Sequence, residues 1–254
     1  MLYICLPSYN EAPTVGVLLW RIRKVFQEYS REYEVIVFDD GSSDGTRSAL
    51  EPYSKVMPLS VIGGATRAGY AHAVDALMRE ASSRTRYPRR DAVVLMQADF
   101  TDVPEHLPEL VKRFEGGADL VVAECALGAG APVPVQKRVR LSRRLSALWP
   151  VRNLVRVPGV NDPFNGYRLL RVSVLRDMLK ENGSRPLCDA PVWAANVELA
   201  RHAARIARRI ESVPLQGRWD LRPRESRVRP WHDALELVRR GWATRASHRP
   251  AVPA

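Results

Sequence analysis

The chain has 254 residues, of which 46% are hydrophobic and 26% charged, and it carries a formal net charge of +11. A composition this close to the globular average argues against a disordered or fibrous protein. No run of about 18 uncharged apolar residues occurs, so the sequence predicts no conventional transmembrane helix. The length suits one large α/β domain, with or without an appended C-terminal element.

The first half alternates between apolar runs and helical patterns. Five apolar runs predict strands at residues 2–6, 34–38, 59–62, 92–96 and 120–123. Helical spacing predicts helices at residues 15–29, 46–53, 70–81 and 104–114. Apolar strands separated by helices indicate a mostly parallel sheet covered on both faces. Ligands of such sheets bind at the carboxyl ends of the strands, so the polar segments that follow the strands should share one edge.

The second half is less regular. A loop rich in Gly, Ala and Pro at residues 128–134 precedes a predicted basic helix at residues 136–156. Further expected elements are a turn at residues 159–168, a helix at 192–204, a strand at 206–213 and an amphipathic helix at 231–242. We expect residues 244–254 to be frayed.

The N-terminus has no basic segment before its short apolar run, so we expect a buried first strand rather than a signal peptide. Three cysteines, Cys5, Cys125 and Cys188, stand far apart in the sequence. They give neither a disulfide framework nor a zinc-binding spacing, which favours a reducing cytosol.

Positive charge is concentrated late in the sequence. Residues 136–156 contain seven Lys or Arg and no acid, and residues 201–254 contain thirteen Arg and five acids. Such zones suit nucleic acid, an anionic membrane surface or a phosphorylated substrate. A solvated Arg-rich surface without a partner is the alternative. No nucleic-acid-binding motif accompanies the charge, so we expect no nucleic-acid partner.

The most specific local pattern is DDGSSDGT at residues 39–46, directly after the second predicted strand. Adjacent carboxylates at a sheet edge are costly unless a ligand uses them, and the base and ribose of a nucleotide offer donors to both Asp39 and Asp40. Gly41 and Gly45 permit tight turns close to a ligand. A plain polar turn in which Ser42 or Asp44 caps the next helix is the alternative, and we expect Asp44 to act as a cap in either case.

Three further segments carry polar side chains. QADFTD at residues 97–102 follows the fourth strand, and an acid there can hold a divalent cation that bridges two phosphates. Asp102 is expected to cap the following helix instead. PSYNE at residues 7–11, where Pro7 is expected to redirect the chain, could contact a base or sugar. NDPFNGYR at residues 161–168 combines turn formers with an acid, an amide and an Arg.

Together and in order, these segments resemble family 2 glycosyltransferases of the GT-A fold, and most closely dolichyl-phosphate mannose synthases and related polyprenyl-phosphate glycosyltransferases. Residues 39–46 match the family's DDGSxDGT pattern without a mismatch. Residues 7–11, 67–70, 97–105 and 162–167 match further family segments, and residues 222–227 echo an Arg…Glu-Ser-Lys segment. The resemblance covers roughly residues 2–241.

The resemblance implies a role for each matching residue. Nucleoside contacts are implied for Pro7, Tyr9, Glu11, Asp39 and Asp40. Asp99 would bind Mg²⁺ or Mn²⁺ on the donor diphosphate. The acceptor phosphate would be received by Arg138, Ser142 and Arg140. Arg222 would contact donor or acceptor phosphates.

Two departures from the family pattern affect these roles. Gln97 stands where the family usually has the first Asp, which removes one negative charge but keeps a carbonyl ligand. Thr101 replaces the common Gln or Asn and would be a further weak ligand. We expect weaker metal affinity, or a site that depends on donor phosphates and Asp99. Glu124 and Cys125 stand where the subgroup often has a basic residue, which leaves the acceptor open.

These expectations combine into one hypothesis: inverting transfer of a sugar from a GDP-mannose-type or UDP-glucose-type donor to a polyprenyl phosphate. An ionised phosphate needs positioning rather than a strong base, and Arg138 would help to position it. A hydroxyl acceptor would need a base, for which Asp162 is the candidate. The alternatives are transfer to a soluble sugar, an antibiotic or a protein, or a donor-binding protein that has lost transfer.

The expected organisation is a GT-A domain at residues 1–220 and a basic amphipathic segment at 221–254. Within the domain, residues 1–127 would bind the nucleotide sugar and residues 128–220 the acceptor. The helix at 231–242 could lie in a headgroup layer, or its apolar face could pack on the body of the protein. We expect a cytoplasmic protein with peripheral contact to the inner face of the membrane.

Overall fold

The structure is a computed structural model that describes residues 1–126, 156–190, 192–216 and residue 235. The predicted basic helix at 136–156 lies outside the described residues except for its last residue. The predicted helix at 231–242 lies outside them except for residue 235.

Seven strands of the described residues form one sheet. In chain order they are β1 (Leu2–Ser8), β2 (Tyr33–Asp40), β3 (Leu59–Gly64), β4 (Ala92–Leu95), β5 (Leu120–Ala126), β6 (Arg168–Arg171) and β7 (Ile210–Gln216). Their order across the sheet is β3-β2-β1-β4-β6-β5-β7. All neighbouring pairs are parallel except those of β6, which runs antiparallel to both β4 and β5. The predicted mostly parallel sheet is therefore confirmed.

Six helices of the described residues flank the sheet. They are α1 (Ala12–Glu28), α2 (Thr46–Ser54), α3 (Tyr70–Arg84), α4 (Leu107–Glu115), α5 (Val172–Asn182) and α6 (Val192–Ile206). A short 3-10 turn, Pro104–His106, precedes α4, so the helix predicted from residue 104 begins as a tighter turn. Among the described residues, none of the helices combines the length and the apolar character needed to cross a membrane.

Hydrophobic side chains from the two faces of the sheet form two cores. The alternation along β1 places Leu2, Ile4 and Leu6 in one core and Tyr3 and Cys5 in the other. The first core includes the apolar faces of α1 and α4, and the second includes those of α3, α5 and α6. Both faces of β1 are thus removed from water, which explains its almost wholly apolar sequence.

Pro7 does not end the first strand, contrary to the prediction. β1 continues to Ser8, and Pro7 pairs with Phe38 of β2. The Cys5 carbonyl accepts a hydrogen bond from the Met96 N–H on the β4 side, and backbone groups two residues apart face the same way. The N–H that Pro7 lacks would therefore face the side where β4 has already ended, so no ladder hydrogen bond is lost.

The second half of the described chain contains elements that the sequence pattern did not predict. β6 is only four residues long and has Arg at both ends, and α5 follows it directly. The strand expected at residues 206–213 was predicted too early, because α6 continues through residue 206 and β7 begins at residue 210.

Asp119 joins β6 and β7 at the start of β5. Its carboxylate accepts hydrogen bonds from the Arg171 Nε, at 2.7 Å, and from the Arg208 backbone N–H, at 2.9 Å. Partial burial raises the pKa of the Asp119 carboxyl, but the Arg171 guanidinium and the backbone donors outweigh it, so the pKa lies below its ordinary value.

Candidate active site

Strands β1, β2 and β4 end at one edge of the sheet. Ser8 is in register with Asp39, and the Met96 N–H donates to the Cys5 carbonyl at 3.1 Å. The segments at residues 8–11, 39–46 and 97–102, which end these strands or follow them, therefore lie side by side. This placement at the carboxyl edge is the one expected from the sequence.

Asp39 is buried at the end of β2 and anchors the loop that follows. Its Oδ1 accepts a hydrogen bond from the Ser42 N–H at 3.1 Å, and its Oδ2 accepts one from the Arg47 Nε at 3.2 Å. The Arg47 side chain is 57% exposed, whereas that of Asp39 is 4% exposed. The exposed guanidinium offsets the charge of a carboxylate that would otherwise be costly to bury.

Asp40 holds the loop that leads into α3. Its Oδ1 accepts hydrogen bonds from the backbone N–H groups of Ala68, at 2.6 Å, and Gly69, at 3.0 Å. The Gly69 N–H also lies 3.0 Å from Oδ2. This carboxylate therefore connects the end of β2 to the start of α3, a structural role that the sequence alone did not indicate.

Arg67 links Asp40 to Tyr9. Its Nε lies 3.8 Å from the Asp40 Oδ2, and its guanidinium carbon lies 4.1 Å from the centre of the Tyr9 ring. A cation over the face of a Tyr ring is attracted by the ring quadrupole. The loops that follow β1 and β3 therefore meet above the end of β2.

Two glycines permit a close approach of backbone segments at this edge of the sheet. A Cβ on Gly63 would lie 2.2 Å from the Asp39 carbonyl oxygen, and the φ angle of Gly63 is +113°. A Cβ on Gly41 would lie 2.8 Å from the backbone nitrogen of Arg67, and the φ angle of Gly41 is +70°. Both the space and the backbone conformation therefore require glycine.

The segment after β1 is fixed to the loop after β2. The Asn10 N–H donates to the Ser42 Oγ at 2.9 Å, and the Asn10 Oδ1 accepts from the Ser43 N–H at 2.8 Å. The buried Glu11 carboxylate accepts a hydrogen bond from the Thr14 hydroxyl at 3.1 Å. Its predicted contact with a nucleoside would require that carboxylate to serve both groups.

Asp44 joins the starts of two helices. Its Oδ1 accepts from the Thr46 N–H at the start of α2, and its Oδ2 accepts from the Ala12 N–H at the start of α1, both at 3.0 Å. Partial burial raises the pKa of Asp44, but the hydrogen bonds from the Thr46 hydroxyl and from the backbone N–H groups outweigh it, so the pKa lies below its ordinary value. The residue at the N-cap position of α2 is Gly45, so Asp44 satisfies the first N–H of the helix from one position further out.

Asp99 is buried in the loop after β4. Its Oδ1 accepts a hydrogen bond from the Thr101 N–H at 3.1 Å. Asp102 was expected to cap the following helix, but its Oδ2 instead accepts the Gln97 N–H at 2.7 Å, and no side chain caps the 3-10 turn. The capping prediction was wrong because Asp102 closes the loop that carries Asp99.

Gln97 is held by a chain of side chains from α3 and α6. Its Nε2 donates to the Tyr70 hydroxyl at 3.1 Å, and the Tyr70 hydroxyl donates to the Asn196 Oδ1 at 2.9 Å. The Asn196 Nδ2 donates to the Phe164 carbonyl at 3.1 Å. Burial raises the pKa of Tyr70 well above its ordinary value, so the hydroxyl keeps its proton.

Arg168 is 1% exposed, and its side chain lies next to these hydrogen-bonded side chains. Its Nη1 donates to the Asn196 carbonyl at 2.9 Å, and its Nη2 donates to the Asn165 carbonyl. Its Nε has no hydrogen-bond partner among the described residues. Desolvation lowers the pKa of Arg168, and nearby groups that include Asp162 oppose this effect.

The donor set of this edge suits a cation that takes part of its coordination from a substrate. The described residues contain no cluster of three or more His, Cys, Asp or Glu side chains able to enclose a metal. One buried carboxylate, from Asp99, and the amide carbonyl of Gln97 are hard oxygen donors. Mg²⁺ is commonly held by one or two carboxylates together with substrate phosphates, so these residues fit the expected cation.

The predicted acceptor residues Arg138, Arg140 and Ser142, and the predicted phosphate contact Arg222, lie outside the described residues. Asp162 is half-buried in the turn before β6, where its carbonyl accepts a hydrogen bond from the Asn165 N–H at 3.3 Å.

Tyr70 and Arg168 belong to the segments at residues 67–70 and 161–168 that the sequence singles out, but the sequence assigned neither of them a role. Arg47 and Asn196 were not expected in this region. Asn196 gave a usable signal, because it is an amide on the apolar face of a predicted helix. A fully buried Arg contradicts the usual location of that residue type and could not be expected from the pattern.

Curated relatives are similar to this chain in sequence. The chain is 27% identical over 172 residues to a dolichol-phosphate mannosyltransferase from Pyrococcus furiosus, a match covering 68% of this chain and 46% of the relative. It is 32% identical over 120 residues to an undecaprenyl-phosphate 4-deoxy-4-formamido-L-arabinose transferase from Proteus mirabilis, covering 46% of this chain and 35% of the relative. The chain thus spans less than half the length of either relative.

Solved structures share the fold. A mannosyltransferase from Pyrobaculum calidifontis in complex with GDP-Man and Mn²⁺ is similar with a TM-score of 0.63 and 21% identity, over 99% of this chain and 65% of that one. A glucosyl-3-phosphoglycerate synthase from Mycobacterium tuberculosis in complex with Mn²⁺, UDP and its product is similar with a TM-score of 0.61 and 22% identity, over 100% of this chain and 81% of that one. These likenesses confirm the predicted GT-A fold.

The family model for glycosyl transferase family 2 matches residues 3–179, which include the carboxyl ends of β1, β2 and β4 and the loops that follow them. The chain therefore belongs to glycosyl transferase family 2.

Proposed function

We propose that the chain transfers a sugar from a nucleotide-sugar donor of the GDP-mannose or UDP-glucose type to a polyprenyl phosphate, with inversion and with the help of a divalent cation. One observation carries the proposal: Asp39 and Asp40 end β2 and Asp99 follows β4, at the same edge of the sheet, in a family 2 chain. The names of two curated relatives support a polyprenyl phosphate acceptor.

The donor nucleoside would bind over the ends of β1 and β2. Asp39 and Asp40 would accept hydrogen bonds from the base or the ribose, and Tyr9, Pro7 and Glu11 would complete the pocket. The exposed guanidinium groups of Arg47 and Arg67 lie next to these carboxylates. When the donor binds, both guanidinium groups could turn towards its phosphates. The ion pairs that they form with Asp39 and Asp40 would then weaken.

The donor diphosphate would lie over the loop after β4. A bound Mg²⁺ or Mn²⁺ would offset the charge that develops on the departing nucleoside diphosphate. Asp99 would hold this cation together with the Gln97 carbonyl and, more weakly, Thr101. The Thr101 N–H hydrogen bond to Asp99 fixes the carboxylate before the donor arrives, so little reorganisation is needed.

The acceptor phosphate would be ionised at neutral pH, so the protein must hold it in line with the anomeric carbon rather than remove a proton. Arg138, Arg140 and Ser142 would hold that phosphate, and Arg222 would contact a phosphate of either substrate. Attack on the face opposite the leaving group inverts the anomeric carbon. Asp162 would act as a base only if the acceptor were a hydroxyl group.

A soluble phosphorylated acceptor is the second candidate. The likeness to the glucosyl-3-phosphoglycerate synthase extends over the whole of this chain. The basic residues in the second half suit either phosphorylated acceptor, because a phosphate group is the feature that both share.

A direct assay separates the candidates. We would incubate the purified protein and Mn²⁺ with radiolabelled GDP-mannose or UDP-glucose, and with either undecaprenyl phosphate or 3-phosphoglycerate, and then partition the products between butanol and water. We expect label in the butanol phase with one of the donors. Label that remains in water only in the presence of 3-phosphoglycerate would favour the soluble acceptor, and free sugar alone would contradict both.

We also propose that residues 221–254 attach the protein to an anionic membrane surface from the cytoplasmic side, while residues 1–127 bind the donor and 128–220 the acceptor. Flotation with vesicles of phosphatidylglycerol and phosphatidylcholine tests the attachment. The full chain should float, and a chain truncated after Pro230 should not. Equal behaviour of the two chains would indicate that this segment packs on the protein instead.

A further inference from the structure

The hydrogen bonds around Gln97 have a fixed direction that begins at a backbone carbonyl. The Phe164 carbonyl can only accept, so the Asn196 amide must present its Nδ2 to it, as observed at 3.1 Å. The Asn196 Oδ1 therefore faces Tyr70. A tyrosine hydroxyl has one proton, and the 2.9 Å hydrogen bond to Asn196 uses it.

The Tyr70 oxygen can consequently offer only a lone pair to residue 97. The Gln97 Nε2 donates to it at 3.1 Å, which places the Gln97 carbonyl oxygen Oε1 on the opposite side of the amide. A carboxylate oxygen at position 97 would face the lone pair of the Tyr70 oxygen, and neither atom could donate a hydrogen bond to the other. The hydrogen bonds around residue 97 therefore suit an amide side chain at this position.

We propose that Tyr70, oriented by Asn196, is a positioning residue that fixes the Gln97 amide so that its carbonyl oxygen serves as a ligand of the donor-bound cation. The inference rests on the proposed function, because it assigns Gln97 a task at that cation. Outer hydrogen-bond partners of metal ligands orient the ligand and commonly matter for metal affinity.

Packing around the amide supports this assignment. A Cβ added to Gly166 would lie 3.0 Å from the Gln97 Nε2, 3.2 Å from the Tyr70 hydroxyl oxygen and 3.4 Å from the Asn196 Nδ2. Gly166 thus lies against all three hydrogen-bonded side chains. These side chains are therefore enclosed and have little room to rearrange. Arg168 completes the enclosure through its hydrogen bond to the Asn196 carbonyl.

The test is a double-mutant cycle in which Mn²⁺ affinity is measured in the presence of UDP or GDP, by electron paramagnetic resonance of free Mn²⁺ and without turnover. Tyr70→Phe should weaken Mn²⁺ affinity by about tenfold, at the lower end of the effect of losing an outer partner. Gln97→Ala should weaken it to a similar extent. The double variant should be no weaker than Gln97→Ala, because Tyr70 acts through Gln97.

Tyr3→Phe is the matched control. Tyr3 is equally a buried tyrosine, and it lies near the start of β1, far along the strand from the candidate site. Tyr70→Phe removes both hydrogen bonds of its hydroxyl, so it should lower Tm by about 4–8 °C in a chain of this size. Tyr3→Phe should lower Tm by less. Only Tyr70→Phe should change the affinity for Mn²⁺.

A second readout tests the direction of the hydrogen bonds. Gln97→Glu should lower Tm in the wild-type background, because one proton on Tyr70 cannot serve both Glu and Asn196. The loss should be smaller in the Tyr70→Phe background, where neither hydrogen bond exists. Equal losses in the two backgrounds would overturn the proposed direction.

The outcomes also separate this inference from the proposed function. If the wild type binds Mn²⁺ but the losses of affinity in Tyr70→Phe and Gln97→Ala multiply in the double variant, only the positioning role is overturned. Failure of the wild-type protein to bind any nucleoside diphosphate with Mn²⁺ would overturn both.

Discussion

Replacing Asp40 with Ala tests whether one carboxylate holds the start of α3. The side chain is 6% exposed and accepts the N–H groups of Ala68 and Gly69. A hydrogen bond to a charged acceptor contributes roughly 1.5–3 kcal/mol, and the lower value applies because this loop is partly accessible to water. Two such bonds predict that the free energy of unfolding falls by about 3 kcal/mol in Asp40→Ala.

Two variants make this magnitude interpretable. Asp40→Asn keeps one carbonyl oxygen for the two N–H groups, so we expect about half the loss. Arg67→Ala removes a guanidinium that is 58% exposed and 3.8 Å from the Asp40 carboxylate, and exposed pairs of this kind contribute about 1 kcal/mol or less. The order of stability should therefore be wild type, Arg67→Ala, Asp40→Asn and Asp40→Ala.

Chemical denaturation followed by circular dichroism measures these differences. The Tm of Asp40→Ala should fall by about 6–12 °C, since 1 kcal/mol corresponds to about 2–4 °C in a chain of this size. If Asp40→Ala and Arg67→Ala were equally stable, the carboxylate would not anchor the loop, and its burial would need another explanation.

Three further predictions concern other parts of the chain. Gly63→Ala should be at least about 3 kcal/mol less stable in urea denaturation, because its Cβ would lie 2.2 Å from a carbonyl oxygen. Gly45→Ala, with φ at +85° but no atom within 4 Å, should lose only about 1 kcal/mol, and equal losses would refute the steric argument. The lowered pKa of Asp119 predicts stabilisation that is fully present above the ordinary Asp value of about 3.9 and disappears as pH falls through the folded value. Asp119→Asn should accordingly have a lower Tm at pH 7, and its Tm should fall less steeply than that of the wild type as the pH is lowered. An equally steep fall of Tm in the two proteins would contradict this. Asp99→Ala should abolish sugar transfer in the partition assay while Glu109→Ala, an exposed acid on α4, retains it; substantial activity of Asp99→Ala would contradict the cation assignment.

The edge that carries the candidate site could be predicted from sequence because it depends on local patterns. Five apolar runs, each followed by polar residues, suffice to place Asp39 and Asp99 at the ends of parallel strands. The same local reasoning extends to α1 to α4, whose apolar faces follow the helical period.

Elements whose structure depends on distant partners could not be predicted. β6 has four residues and becomes a strand only because it fits between β4 and β5. Arg168 is tolerated in the interior through backbone carbonyls contributed by Asn165 and Asn196, which are brought to it by the fold. The tasks of Asp40 and Asp102 as loop anchors likewise depend on backbone N–H groups that no sequence pattern specifies.

The pairing of β7 sets a minimum size for a folded fragment. The part that matches the family model stops at residue 179, yet β7 pairs with β5 along seven residues, from Leu120↔Ile210 to Ala126↔Gln216. A fragment cut at the limit of the match would leave the backbone donors and acceptors of β5 unpaired along that side. Exposed apolar edge strands pair with strands of other molecules, which leads to aggregation. Expression trials designed around the family match alone should therefore yield aggregates, and the shortest well-behaved fragment should extend to at least residue 216.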